Sequence, residues 1–264
     1  MTVGAQTETT EVTGWWWRSL VVGVLAGFLS GLFGVGGGVF IVPALVFLLR
    51  MDQRRAHGTS LAAAVPISTA AAVGYATAGL VDYRIAGLVL AGSAVGVVGG
   101  TALLGRFSQR ALRLAFVAVL MLTAGRMLLA EVAGERIELT PMVVVGALAL
   151  GLVAGVLAGL LGVGGGIIMV PAFVVLFGMV DVIAKGTSLL VIVPTAIVGT
   201  LRNRGAGHVD LRVAVLVGLA GAASAAAGVA VATRLDEDVS VALLAALLIV
   251  TALRLLWQEY RQER

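Results

Sequence analysis

The sequence predicts an all-α polytopic membrane protein built from two inverted repeats, each a glycine-broken re-entrant hairpin (or broken helix) followed by three transmembrane helices. Composition, an internal duplication and the distribution of basic residues predict it. Of the 264 residues, 60% are apolar and 12% are charged, whereas about 25% of a soluble domain is charged. Together with the 36 glycines, this leaves too little polar surface for a water-soluble particle.

The apolar runs give the order of elements. Six are assigned to membrane-spanning helices, three after each glycine-rich break; they are residues 58–79, 85–104, 109–130, 186–201 with its polar end, 211–233 and 239–257. The other four, residues 20–33, 39–49, 142–161 and 167–177, flank two glycine-rich breaks. At 1.5 Å per residue, the first two reach only about 21 and 16 Å, so we expect short arms around each break.

The ends of the chain are polar. Residues 1–14 lack a basic segment, so we expect no cleaved signal peptide and a retained first helix. Trp15 to Trp17, followed by Arg18, match an aromatic anchor at the membrane interface, with packing on a neighbouring helix as the alternative. The predicted division is an N-terminal tail (1–14), a first repeat (15–136), a second repeat (137–257) and a C-terminal tail (258–264).

The sequence of the second half repeats that of the first at one constant offset, in which Gly159 is the counterpart of Gly31. Between residues 31 and 66, 20 of 36 positions are identical to their counterparts, without a gap. The matching blocks are Gly31–Gly38 with Gly159–Gly166, Val42–Ala44 with Val170–Ala172, and Gly58–Leu61 with Gly186–Leu189. Low complexity does not produce one fixed register, so this is a duplication.

Basic residues indicate how the halves are oriented, because they favour the cytoplasmic side. In the first half, the segments 50–57 and 106–113 hold six arginines, and all other positions hold four. In the second half, the equivalent segments hold only Lys185 and Arg234, and the other positions hold six. The bias reverses, which predicts an odd number of crossings per half, an inverted repeat, and both termini in the cytoplasm.

The two glycine breaks are the strongest candidate site. Irregular backbone persists in hydrocarbon only where protein or a water-filled cavity satisfies its polar groups. Each break is followed by a helix whose N-terminal N–H groups and dipole favour an anion, and in the inverted arrangement both lie near the midplane. The alternative is that these glycines only permit close helix packing, which is our interpretation of the scattered glycines Gly92, Gly96, Gly99 and Gly100.

Hydroxyl and basic residues recur beside the breaks. Two Thr-Ser pairs are expected to begin the next helix of each half, where they either cap it or contact a ligand. His57 and Lys185 occupy equivalent positions just before those helices, as anion-attracting groups or as loop charges. Arg202 and Arg204 interrupt an apolar run, as a substrate site or by snorkelling from a helix end. Asp82 and Asp210 are interpreted as N-caps.

Other chemistry finds little support in the sequence. The absence of cysteine and the presence of two histidines argue against a metal site, and no Walker A lysine follows the glycines. Few acidic residues fall within a span, so no proton-relay carboxylate is evident. We expect no enzyme, no cofactor, no metal and no nucleic-acid partner; the expected partners are a small anionic substrate and the lipid bilayer, and a homo-oligomer is left open.

The repeated Gly-x-x-Gly-x-Gly-Gly-Gly, Val-Pro-Ala and Gly-Thr-Ser-Leu blocks, with the turns Gly79–Asp82 and Gly207–Asp210, resemble the TauE/SafE family of sulfite exporters and toluenesulfonate uptake permeases. The resemblance extends from about residue 18 to 257. It implies a bacterial inner-membrane transporter of small anions, often sulfite, sulfoacetate or other organosulfonates. Family members are commonly drawn with a duplicated four-helix unit. Four spanning helices per half would give an even number of crossings, so the family's unit agrees with the odd number predicted here only if each glycine break turns one apparent helix into a hairpin.

The predicted function is a secondary transporter, expected to be an exporter, that works by alternating access. A passive anion channel is the alternative, and a scaffolding subunit is a third. The candidate substrate-binding residues are Gly36, Gly37, Gly38, Thr59, Ser60, Gly164, Gly165, Gly166, Thr187 and Ser188, with His57, Lys185, Arg202 and Arg204 as charge partners.

Overall fold

The computed structural model describes residues 14–103, 117–118, 120–121, 124–125, 139–161 and 165–262. Within these ranges the regular structure is helical and contains no strand. Nine helices are delimited within the described ranges: α1 (Trp15–Phe33), α2 (Gly38–Leu48), α3 (Gln53–Thr77), α4 (Tyr83–Leu103), α5 (Pro141–Leu161), α6 (Gly166–Phe177), α7 (Asp181–Gly205), α8 (Leu211–Ala232) and α9 (Glu237–Gln262). Most of the predicted 109–130 helix and most of the N-terminal tail lie outside the described residues.

The helix bounds follow the duplication seen in the sequence. α3 begins at Gln53 and ends at Thr77, and α7 begins and ends at the equivalent positions of the second repeat, Asp181 and Gly205. α2 and α6 begin at Gly38 and Gly166, which are also equivalent. The local sequence therefore sets the same helix starts in both halves.

The short first arm predicted from the 20–33 run is wrong. α1 has 19 residues and α5 has 21, and only α2 and α6, with 11 and 12 residues, are short. α1 is longer than the 20–33 run because the helix already includes the tryptophans and Arg18. In the part of the chain that the structure describes, five helices are long and apolar enough to cross a membrane, namely α1, α3, α5 (over Pro141–Ala158), α7 and α8.

Small residues hold the helices of different halves together. Gly23, Gly27 and Gly31 of α1 lie so close to α8 that an added Cβ would collide with a backbone oxygen, which belongs to Val217, Gly221 and Ala225 respectively. Successive glycines along α1 face successive residues along α8 in the same order, so α1 and α8 run parallel. This is small-residue packing at four-residue spacing.

The equivalent pair, α4 and α5, packs in the same way. Added Cβ atoms on Gly92 and Gly96 would collide with the carbonyl oxygens of Leu148 and Leu152. The packing interpretation of these two glycines is therefore confirmed, while the surroundings of Gly99 and Gly100 are outside the described part of the chain. The first helix of each half thus packs against the fourth helix of the other.

The equivalent helices α3 and α7 cross each other in opposite directions. Gly58, near the start of α3, lies beside Asn203 near the end of α7, and Gly186, near the start of α7, lies beside Tyr75 near the end of α3. Two equivalent helices that run antiparallel are related by a rotation about an axis perpendicular to them. α1 and α2 also run antiparallel, because Arg18 Nη1 donates to the carbonyl oxygen of Leu48 at 3.0 Å.

Candidate functional site

Two glycine turns break the chain before α2 and α6. Gly34, Gly36, Gly37 and Gly165 have φ angles of 72°, 75°, 77° and 74°, in the left-handed region that favours glycine. Gly37 and Gly165 are the N-cap residues of α2 and α6, and neither gives its helix a side-chain cap. Within the described residues, no side chain therefore caps the first N–H groups of either helix, which are groups that a helix leaves without an intrahelical partner.

The two turns meet inside the protein. A Cβ placed on Gly166 would lie 2.8 Å from the carbonyl oxygen of Val35, which is itself fully buried. Ile192 of α7 contacts both turns, because it lies within 3.0 Å of the Cβ positions of Gly36 and Gly166. The two predicted motifs thus come together around one side chain. Gly164 lies outside the described residues.

Three fully buried serine hydroxyls on α1, α3 and α7 have no hydrogen-bond partner among the described residues: Ser30, Ser68 and Ser188. Ser68 Oγ lies 3.1 Å from the Cβ position of Gly36, and Ser30 Cβ lies 3.7 Å from that of Gly37. Ser188 precedes Ile192 by four residues and so shares its face of α7. Buried hydroxyls are normally paired, so these three are open to an occupant of the site.

The sequence interpretation missed Ser30 and Ser68. Their counterparts in the second repeat are Ala158 and Ala196, so the duplication does not point to them. A serine within an apolar helix is common, so the sequence alone does not identify Ser30 or Ser68 as a site residue. Their positions beside the glycine turn identify them.

The predicted capping role of the Thr-Ser pairs is wrong. α3 begins at Gln53 with Asp52 as its N-cap, so Thr59 lies in the second turn of the helix. Thr59 Oγ1 instead accepts a hydrogen bond from the backbone N–H of Asp210 at 2.9 Å, and Thr187 Oγ1 accepts one from that of Asp82 at 2.9 Å. Ser60 is buried beside Thr59.

These reciprocal bonds fasten each repeat to the other. The interpretation of Asp82 and Asp210 as N-caps is confirmed, since their side chains accept from the N–H groups of residues 84 and 85 and of residues 212 and 213. Gly58 and Gly186 let the chains approach, because added Cβ atoms would collide with the carbonyl oxygens of His208 and Leu80.

The four predicted charge partners occupy different environments. Lys185 is 1% exposed, and its Cα and side chain lie against Gly34 of the first turn. Its interpretation as a loop charge is therefore wrong. His57 is half-buried in the first turns of α3, whereas Arg202 and Arg204 are exposed in the last turn of α7, as snorkelling from a helix end requires.

Basic residues lie at the other end of α2. Arg18 donates to the Leu48 carbonyl at that end, and the Arg254 guanidinium lies 5.8 Å from the ring centroid of Phe47. Cations at a helix C-terminus complement the helix dipole. The N-terminal end of α2 has no side-chain cap and no acidic residue in its first turn.

A duplicated helical set, apolar enough for lipid and enclosing two facing uncapped helix ends, defines a multi-pass membrane transport protein. The family comparison agrees, and the chain belongs to the sulfite exporter TauE/SafE family, whose model matches residues 2–127 and 147–264. The resemblance seen in the sequence motifs is thereby confirmed.

Curated relatives carry names of the same class. The chain is 27% identical over 216 residues to the "Probable membrane transporter protein YunE" of Bacillus subtilis, covering 72% of this chain and 79% of that protein. It is 33% identical over 105 residues to YjnA of the same organism, which is 40% of this chain and 41% of the relative. A Haemophilus influenzae "Probable membrane transporter protein" is 53% identical over 53 residues, covering 17% and 20%. No solved structure matches the chain.

Proposed function

We propose that this transporter carries a small anion, of the sulfite or organosulfonate class such as sulfoacetate, bound where the two glycine turns meet. The observation that carries the proposal is the uncapped N-terminus of α2, buried beside the unpartnered hydroxyls of Ser30, Ser68 and Ser188. Backbone N–H groups and hydroxyls are donors, and donors around a positive helix end suit an oxyanion.

The proposed architecture is a pair of inverted repeats, residues 15–136 and 137–257, that move against each other in alternating access. The antiparallel course of α3 and α7 supports inversion, because a two-fold axis perpendicular to membrane-crossing helices lies in the membrane plane. In this arrangement α2 and α6 are the re-entrant halves of two hairpins. The reversal of basic residues between the repeats supports placing both termini in the cytoplasm, in a bacterial inner membrane.

The proposed direction is export. A negative-inside potential drives an anion outward by about 2.3 kcal/mol per charge per 100 mV. The potential thus supplies a driving force for a dianion without a nucleotide site. A passive channel uses the same driving force, so the proposal needs a kinetic test.

The first experiment measures ligand stabilisation of the purified protein with sulfite, sulfate, thiosulfate, sulfoacetate, taurine and carboxylates. We expect a higher unfolding temperature with the sulfur oxyanions. The test variant is Gly36→Ala, whose new Cβ would press on Ser68 and Ile192. The control is Gly79→Ala, where φ is also positive, at 72°, but nothing lies within 4 Å. Loss of stabilisation in both variants, or in neither, contradicts the proposed site.

The second experiment separates a carrier from a channel. In proteoliposomes, a carrier gives saturable exchange that is accelerated by anion on the opposite side. Currents far above carrier turnover, without such acceleration, would refute alternating access and establish the channel.

A further inference from the structure

Three arginines from distant parts of the chain meet at the C-terminal end of α2. Arg18, at the start of α1, donates from Nη1 to the carbonyl oxygen of Leu48, the last residue of α2, at 3.0 Å. The guanidinium carbon of Arg254, in the C-terminal part of α9, lies 5.8 Å from the ring centroid of Phe47. Arg50 follows the end of α2 by two residues and is exposed. We call Arg18, Arg50 and Arg254 the basic cluster.

The backbone at Arg50 indicates that its side chain has a role beyond forming the turn. Its φ angle is 51°, and among the residues that the structure describes it is the one non-glycine residue with a positive φ. Helices commonly end on a left-handed residue, which is usually glycine because a Cβ strains that conformation. The second repeat follows this rule, since the counterpart of Arg50 is Gly178, with a φ of 64°. A strained residue in place of glycine marks a candidate functional position.

The basic cluster keeps hydrogen-bond donors for a ligand. A guanidinium has five N–H donors, and Arg18 uses one of them on the end of α2. The contact of Arg254 with Phe47 is a cation–π contact, which needs no N–H group. The nearest carboxylate along the chain is Asp52, whose side chain already accepts from two backbone N–H groups at the start of α3. The remaining donors suit a phosphate, which arginine binds through paired hydrogen bonds.

An apolar surface lies directly beside these cations. Phe47 is 70% exposed and Leu48 is 46% exposed. The indole of Trp17 lies 5.6 Å from the guanidinium carbon of Arg18, and tryptophan is enriched at the level of the lipid headgroups. Cations next to exposed apolar side chains suit a molecule that has an anionic head and an apolar chain.

The duplication shows that the fold does not need the whole cluster. The counterparts of Arg18 and Arg50 are Gly146 and Gly178, and that of Arg254 is Arg126, which lies outside the described residues. α6 nevertheless forms as a helix of 12 residues, against 11 for α2. A short helix after a glycine break therefore forms without these two cations at its end.

We propose that the basic cluster binds the phosphate headgroup of one anionic phospholipid, whose acyl chains lie on Phe47 and Leu48. Basic residues grouped between membrane helices recognise anionic headgroups, and each arginine near the headgroup strengthens binding about fivefold. The bound lipid links the ends of α1, α2 and α9. The inference is independent of the proposed transport function, because the cluster lies at the end of α2 opposite the glycine turn.

The test is a lipid titration of the full-length protein in an uncharged detergent, read by native mass spectrometry. The probes are phosphatidylglycerol, phosphatidylcholine with the same acyl chains, and glycerophosphoglycerol, which is the first headgroup without chains. We expect one phosphatidylglycerol to bind more tightly than phosphatidylcholine, by up to about 100-fold for three arginines. Equal affinity for the two lipids overturns the proposal. Glycerophosphoglycerol that binds as tightly as the lipid also overturns it, because the apolar surface then contributes nothing.

Variants assign the lipid to the cluster. Arg254→Gln removes a cation without removing a backbone hydrogen bond and should weaken phosphatidylglycerol binding about fivefold. Arg50→Gly introduces the residue of the second repeat, so it should weaken binding similarly without lowering the unfolding temperature. Wild-type affinity in both variants overturns the proposal.

The controls are Arg84→Gln and Arg212→Gln. Both arginines are exposed in the first turns of α4 and α8, outside the basic cluster, and both variants should bind phosphatidylglycerol like the wild type. A fivefold loss in these controls would show a general attraction of surface arginines for anionic lipid and would overturn the specific site.

Discussion

Replacing Ser68 by alanine should make the empty protein more stable and its anion binding weaker. The Ser68 hydroxyl is fully buried and has no hydrogen-bond partner among the described residues. A buried unpaired polar group costs about 1–3 kcal/mol, and Ser68→Ala removes that cost from the ligand-free state. A hydrogen bond to a charged group contributes about 1.5–3 kcal/mol, so losing it should weaken anion binding about 10- to 150-fold.

The measurement is thermal unfolding of Ser68→Ala with and without anion, together with the anion Kd from calorimetry. Ser93→Ala is the matched control, because Ser93 is also buried but its hydroxyl lies 3.2 Å from Thr195 Oγ1. That variant should lose stability and keep its affinity. A less stable Ser68→Ala protein, or an unchanged Kd, would show that the hydroxyl does not face the anion.

Three further outcomes follow from the packing. Thr59→Val and Thr187→Val each remove one inter-repeat hydrogen bond and should lower stability by about 1 kcal/mol, measured by chemical unfolding; clearly unequal losses would show that the two bonds are not equivalent. Gly27→Ala places a Cβ against the backbone of Gly221 and should abolish folded, monodisperse protein on gel filtration. The control Gly87→Ala, whose Cβ would have nothing within 4 Å, should raise stability by about 0.5–1 kcal/mol. If both variants gave the same elution profile and stability, the close packing of α1 on α8 would be contradicted. Ile192→Ala should lower stability by about 2–5 kcal/mol. Because Ile192 contacts both glycine turns, the variant should also admit bulkier sulfonates in the stabilisation assay, and unchanged selectivity would contradict a site beside Ile192.

Much of the framework could be predicted from local sequence. The fixed offset between the repeats identified the equivalent helices, since each half carries its own start signals: the glycine breaks before α2 and α6, and the aspartate caps before α4 and α8. Glycines at four-residue spacing predicted close packing, because only a missing Cβ allows that approach.

The parts that could not be predicted depend on tertiary contacts. Asp181 and Lys185 form a buried ion pair at the start of α7, and they are buried by contacts from distant parts of the chain, with Ser240 of α9 and with Gly34. Thr59 resembles a helix start because the apolar run begins there, yet Asp52 caps the helix well before it. The spacing of Asp181 and Lys185, one helical turn apart, was the one local signal that an ion pair was possible.

The pairing of α1 with α8 has a consequence for biogenesis. The first helix leaves the ribosome long before its partner does, because α2 to α7 are all made in between, and its glycine face is shaped to fit α8. A newly made first half must wait, with that face toward lipid, until the second half is inserted. The two halves expressed as separate chains should therefore be degraded singly and rescued together, as two subunits of one protein.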